Sequence, residues 1–248
     1  MDELDIRHNV KRVPILPSHR EWWDKIIGER VGDDFGTPGG SWINLSGVPG
    51  SGKTLIALDV LSGFAQNANC IVDFYDFETG RARLLKYQKL VGSTNIHNML
   101  GGAKDAVLPR IKRMINDCAA QNKFYIACID TINEFTQNDV REARNMATQL
   151  HPLREHPNFI LLSIAHLVKG SKRTLAGPAQ FARLSDVNLM INTMDVYRII
   201  SAPEKNRLST GNQDPIKLYL KAGEGWLEST EPDFVTNNGI VKFLRKWI

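Results

Sequence analysis

From Ser41 onward, short apolar runs alternate with longer stretches in which apolar residues recur at helical spacing. SWINLS (41–46) reads as a strand. The next stretch, KTLIALDVLSGFAQ, places Leu55, Leu58 and Leu61, with Ile56, Val60 and Phe64, as a helix does. CIVDFYDF (70–77), FYIACID (124–130) and NFILLSIAHL (158–167) read as three further strands. They are separated by helix-like TGRARLLKYQKLV, by VLPRIKRMINDCAAQ with Pro109 expected in its first turn, and by residues 139–153. Strands joined through helices pair in parallel with right-handed crossovers, so both faces of the sheet should be covered. After Asp186 the spacing tightens to VNLMINTM, VYRIISAP and IKLYLKAG, and such short links favour antiparallel strands added at one edge. The fold class expected is therefore α/β, a mostly parallel central sheet flanked by helices, with antiparallel strands on the C-terminal side. Residues 1–20, with Pro14 and Pro17, read as an extended arm, 21–228 as the main domain and 229–248 as a tail.

The 248 residues are 42% hydrophobic and 23% charged, which suits one substantial core. No window approaches the ~18 consecutive apolar residues of a membrane span, and the N-terminus has no apolar signal region, so a soluble, cytoplasmic protein is expected. Three cysteines, with no CxxC pair, fit reduced thiols rather than a disulfide framework or a zinc site. The net charge of +4 permits a nucleic-acid partner without demanding one.

GVPGSGKT (47–54) lies between the first predicted strand and the first predicted helix, and satisfies GxxxxGK[ST] through Gly47, Gly52, Lys53 and Thr54, with Gly50 and Ser51 inside it. Glycines let backbone N–H groups converge on phosphate oxygens, and a helix N-terminus adds favourable dipole charge. Lys53 would reach the β and γ phosphates of ATP, and Thr54 would bind Mg²⁺. That ion keeps several waters and needs a carboxylate at a neighbouring strand end, which Asp130 supplies. Glu78, just past the second strand, is the candidate base, with Asp76 next in line. His166, closing the strand NFILLSIAH, could bond the γ-phosphate or sense its loss.

The order of these pieces resembles the RecA-fold ATPases, and among them the RadA/Sms recombination helicases and their DnaB-type relatives. The likeness rests on the P-loop, the acidic FET after the second strand, the strand-end Asp and His, the AGP that opens a helix, and the KNR turn, and it runs from about Gly39 to about Gly223. The resemblance implies a RecA-like core whose Lys205 and Arg207 act in trans, reaching the γ-phosphate held by a neighbouring subunit of a hexameric ring or a filament. It also implies that the loop 167–177, with Lys169, Lys172 and Arg173, tracks single-stranded DNA along a central channel. The family's N-terminal zinc module and C-terminal protease-like domain find no counterpart, so a stripped motor core is expected, of the kind that viruses and mobile elements encode. The function expected is a DNA-stimulated ATPase in replication or recombination. A RecA-fold ATPase that remodels protein partners and a small-molecule kinase are the alternatives. A second basic stretch, with Arg141 and Arg144, sits amid carboxylates and carries less weight.

Overall fold

The computed structural model describes residues 13–31, 34–93, 95–100, 104–137, 139–167, 180–202, 206–208 and 214–229. Six neighbouring strands of a nine-stranded sheet run parallel: β4 (Ser41–Gly47), β5 (Cys70–Asp76), β6 (His97–Leu100), β7 (Phe124–Asp130), β8 (Phe159–His166) and β9 (Val187–Met194). β10 (Tyr197–Ser201), β11 (Ile216–Lys221) and β12 (Gly225–Glu228) extend it antiparallel from β9, giving the order β12-β11-β10-β9-β4-β8-β7-β5-β6. The expected fold class is the one found. β6 and β12 are additional strands, β9, expected among the antiparallel strands, runs parallel to β4 because the chain crosses over before it, and Pro109 lies elsewhere than expected. The helix α4 (Lys104–Ala120) begins five residues earlier, so Pro109 stands inside it. Its apolar stripe, Val107, Leu108, Ile111, Ile115 and Cys118, already starts ahead of the proline. The carbonyl left without a donor by Pro109 belongs to exposed Asp105, where water can satisfy it.

Strand alternation divides the core between the two faces. Tyr125, Ala127 and Ile129 of β7 point to a cluster with α4 and α6 (Val140–Leu150), while Ile126 and Cys128 point to one with α2 (Lys53–Phe64). Cys118 and Cys128 are buried, Cys70 is half-buried, and all three are free thiols. Among the described residues no helix is long and apolar enough to cross a membrane.

Residues 13–20, expected as an unpacked arm, are extended but packed. β1 (Ile15–Leu16) pairs with β3 (Asp34–Pro38), which also pairs with β2 (Glu29–Val31), forming a small antiparallel sheet. Leu16 and Ser18 are buried, and α1 (Glu21–Ile27) lays Trp22, Trp23, Ile26 and Ile27 into the core. Arg20 donates from Nε to Asp59 Oδ1 at 2.7 Å, and Asp59 Oδ2 accepts from the Trp226 backbone N–H at 3.0 Å. Asp59 thus ties both the first described segment and β12 to the middle of α2.

Asp24, also buried, accepts the Ser18 backbone N–H, 3.2 Å from each carboxylate oxygen. Burial pushes its carboxyl from 3.8 up to about 6 in spite of those bonds. Between these values the folded chain keeps a proton that the unfolded chain has released. The stability this group contributes is therefore full below about pH 4 and is lost as pH rises through 6. Asp24→Asn keeps an acceptor for Ser18 and removes the ionisation. In urea titrations the variant should match the parent near pH 4 and become the more stable of the two by pH 7. Parallel curves across that range would assign the pH response to other groups.

Candidate functional site

The sheet register brings four strand ends to one edge. Gly47 of β4 pairs with His166 of β8, and Asp76 of β5 with Asp130 of β7. Carboxyl edges of parallel sheets are where such folds bind ligands, and here a cleft of about 230 Å³ opens beside them, lined by the P-loop, Glu78, Asp130 and His166.

The loop leads into α2 through Gly52, whose φ of +89° is open to glycine and costly for other residues. No side chain caps this helix and no acidic residue occupies its first turn. Its first N–H groups are therefore left for a ligand, and its dipole favours an anion. Gly47 answers a different demand. A Cβ there would lie 2.6 Å from both the Ile191 carbonyl oxygen and Ser51 Oγ. Gly50, Gly52, Lys53 and Thr54 line the cleft, whereas Gly47 and fully buried Ser51 support the loop from behind.

Lys53 is buried, with 5% of its surface exposed, rather than held out in solvent as its residue type alone would lead one to expect. Its ammonium donates to the carbonyls of Gly47 and Val48, each at 3.0 Å. Burial lowers its pKa, and the carboxylates of Asp130 and Glu78 pull it back up. Thr54 Oγ1 donates to Asp130 Oδ2 at 2.6 Å. Among the described residues Asp130 Oδ1 is buried with no hydrogen-bond partner, which is the kind of acceptor a divalent cation or its water would satisfy. Thr54 and Asp130 therefore fit a Mg²⁺ shared with phosphate. Among the described residues no group of three or more His, Cys, Asp or Glu forms a closed metal cage.

Glu78 and His166, predicted separately, are joined: His166 Nε2 lies 3.0 Å from Glu78 Oε2. That bond is the main cause holding the Glu78 carboxyl below its usual range. Asp76 is not a spare base. It is buried, and its carboxylate accepts the backbone N–H groups of Glu78, Thr79 and Gly80 at 3.1, 2.7 and 2.9 Å, fixing the turn that presents Glu78.

Among the further lining residues, two arginines and a tyrosine escape a motif search. Arg83 and Tyr87 come from α3 (Arg81–Leu90) at i, i+4 spacing, the only signal that they share a face. Arg198 comes from β10, where alternation reads as an ordinary edge strand. Arg207 is exposed and lies away from the cleft of its own chain. Its backbone N–H donates to the Asp186 carbonyl, whose residue precedes β9 at the opposite edge of the sheet. Lys205, Lys169, Lys172 and Arg173 fall outside the described residues. Arg141 and Arg144 stand exposed on α6.

No family model matches the chain. Over 208 residues it is 26% identical to the DNA repair protein RadA of Chlamydia muridarum (strain MoPn / Nigg), a match covering 80% of this chain and 42% of that relative. The chain thus spans less than half of the relative's length. A KaiC-like protein from the hyperthermophilic archaeon Pyrococcus horikoshii OT3 superposes with a TM-score of 0.68 at 16% identity, over 88% of this chain and 99% of the other. The ATPase domain of the protein G40P does so with a TM-score of 0.69 at 13% identity, over 90% and 94%. The chain has the RecA-like P-loop ATPase fold.

Burial pushes Asp130 from 3.8 up to about 7. Below that pH the ligand-free site carries a proton there, which must leave before the carboxylate can face a cation. Mg²⁺–nucleotide affinity should therefore rise by up to about tenfold per pH unit below 7 and level off above it. Calorimetry in buffers of different ionisation enthalpy should register the released proton. Asp130→Asn should lose that release, apart from the nucleotide's own titration. Equal proton release by both proteins would place the titrating group elsewhere.

Proposed function

We propose that the chain is an ATP-hydrolysing motor, stimulated by single-stranded DNA and working in replication or recombination. The observation that carries this reading is the 3.0 Å bond between Glu78 and His166. It links the group suited to activate water with the last residue of β8, from which the chain runs directly into the basic stretch containing Lys169, Lys172 and Arg173. A change at the phosphate that reorients His166 would thus act at the root of that stretch. The sequence likeness to a DNA repair protein supports DNA as what the stretch grips.

Thr54 with Asp130 would hold a Mg²⁺, which would supply positive charge against that developing on the phosphates. Lys53 would exchange the Gly47 and Val48 carbonyls for phosphate oxygens. Glu78, positioned by the Asp76 turn, would take a proton from the attacking water, a role worth ~10² to 10⁴ in rate. Arg207, on the edge opposite its own cleft, is suited to serve a neighbour's, and with Lys205 would supply transition-state charge worth ~10³ to 10⁵. The working form is then a ring, with six subunits as the family likeness implies, or a filament.

Two measurements test this reading. Replacing Lys169, Lys172 and Arg173 together by Ala should weaken single-strand binding alike for all sequences. It should also flatten the slope of log affinity against log salt by about two units, at ~0.7 per lost phosphate contact, and abolish stimulation of the ATPase by DNA. An unchanged affinity, slope and stimulation would favour an ATPase that remodels proteins instead.

Mixing Arg207→Ala with Lys53→Ala should restore part of the activity that each lacks alone, because one contributes an intact pocket and the other an intact finger. Mixtures no more active than their components, from a chain that stays monomeric at every concentration, would rule out the shared site.

A further inference from the structure

The P-loop is held from a direction that the motif does not encode. Arg198, on β10, donates from Nε to the Ser51 carbonyl at 2.8 Å and from Nη1 to the Tyr197 carbonyl at 2.9 Å. Its guanidinium carbon stands 5.7 Å from the centre of the Trp226 ring on β12. Two hydrogen bonds and an aromatic face fix the plane of the group, an arrangement open to Arg and closed to Lys. A Cβ on Gly52 would lie 3.2 Å from Arg198 Nε and 3.7 Å from the Trp226 ring, so this pair roofs the start of α2.

Ser51 lies between Gly50 at φ +78° and Gly52 at φ +89°, the part of the loop with the greatest backbone freedom. Its N–H donates to the Val48 carbonyl at 3.1 Å within the loop itself, and its hydroxyl makes no hydrogen bond among the described residues, so the bond from Arg198 is the polar contact that ties Ser51 to the rest of the fold. In a planar trans peptide the C=O and the following N–H point in opposite directions. Pulling the Ser51 carbonyl toward Arg198 therefore turns the Gly52 N–H away from it and fixes the orientation of that donor before any phosphate arrives.

We propose that Arg198 is a positioning residue of the nucleotide site, acting through the Ser51 carbonyl to hold the phosphate loop in its ligand-ready shape. Without it, an incoming polyphosphate must order the loop itself, and the loss falls on binding. Once the loop is filled, the phosphate's own hydrogen bonds maintain the shape, so turnover at saturation suffers less than affinity. The inference rests on the reading of the cleft as a nucleotide site, but not on DNA.

The test compares the parent, Arg198→Gln and Arg198→Lys without DNA. It measures calorimetric affinity for ADP and for inorganic pyrophosphate, KM and kcat for ATP, and the melting temperature of the ligand-free proteins. Arg198→Gln should weaken ADP and pyrophosphate alike by on the order of tenfold, the cost of ordering about one residue's backbone, and should raise KM more than it lowers kcat. Arg198→Lys keeps the charge and is the milder change should Gln fail to fold. It should not rescue, since one ammonium cannot serve both carbonyls and the ring face. A fall in kcat at unchanged KM, full rescue by Lys, or a lower melting temperature with undiminished affinity would each overturn the positioning role. A parent that binds neither ADP nor pyrophosphate would overturn the nucleotide reading, and this inference with it.

Discussion

An α-helix begins with backbone N–H groups that its own turns cannot satisfy, and the structure is organised around leaving those of α2 free. No side chain caps the helix. Gly52 turns the chain into it through a left-handed conformation, Gly47 makes room beneath the loop for Ser51 and the Ile191 carbonyl, and Asp59 anchors the middle of the helix to Arg20 and Trp226. With ten of its twelve residues buried, α2 cannot tilt to find other partners. Its dipole is therefore a fixed charge at the mouth of the cleft, and the antiparallel strands at the sheet's edge help keep it so.

The polar groups of the cleft are largely paired with one another. Lys53 bonds loop carbonyls, Thr54 bonds Asp130, and Glu78 bonds His166. Ligand binding is then an exchange of partners, which spares buried groups the cost of standing unsatisfied beforehand. It also favours a ligand that can replace several partners at once, as a polyphosphate with its cation does. Asp130 Oδ1 and His166 Nδ1 are the exceptions, buried atoms without a hydrogen-bond partner among the described residues.

Four of the parallel strands, β4, β5, β7 and β8, and the loop between β4 and α2 were legible because a short buried strand, a glycine-rich turn and a helix each leave a strong local pattern. Glu78 and His166 could be chosen by position, but not as partners, since 88 residues separate them and only the sheet register joins them. Two kinds of residue have surroundings that residue type and local pattern do not reveal. Lys53 and Asp76 look like solvated charges by type, yet backbone groups draw both inside. Arg198 sits on a strand whose alternation carries no chemical mark, and its role depends on meeting Ser51, 147 residues earlier. The stretch EWWDKII is too short for periodicity to speak, so α1 emerged only from tertiary packing of its two tryptophans.

Arg207 and the cleft occupy opposite edges of a sheet whose seven-residue β4 is about 20 Å long. That separation restricts the symmetry of any assembly in which one copy completes another. A two-fold contact repeats every pairing twice, so it could set each cleft against the other copy's arginine only by spanning both edges of the sheet in one interface. A head-to-tail contact sets one edge directly against the other, and its repetition must close on itself or continue as a helix. In a closed set every cleft is completed. In an open one, the last copy at one end has an incomplete cleft and the copy at the other end an unused arginine, so the two ends of a filament would be chemically unlike.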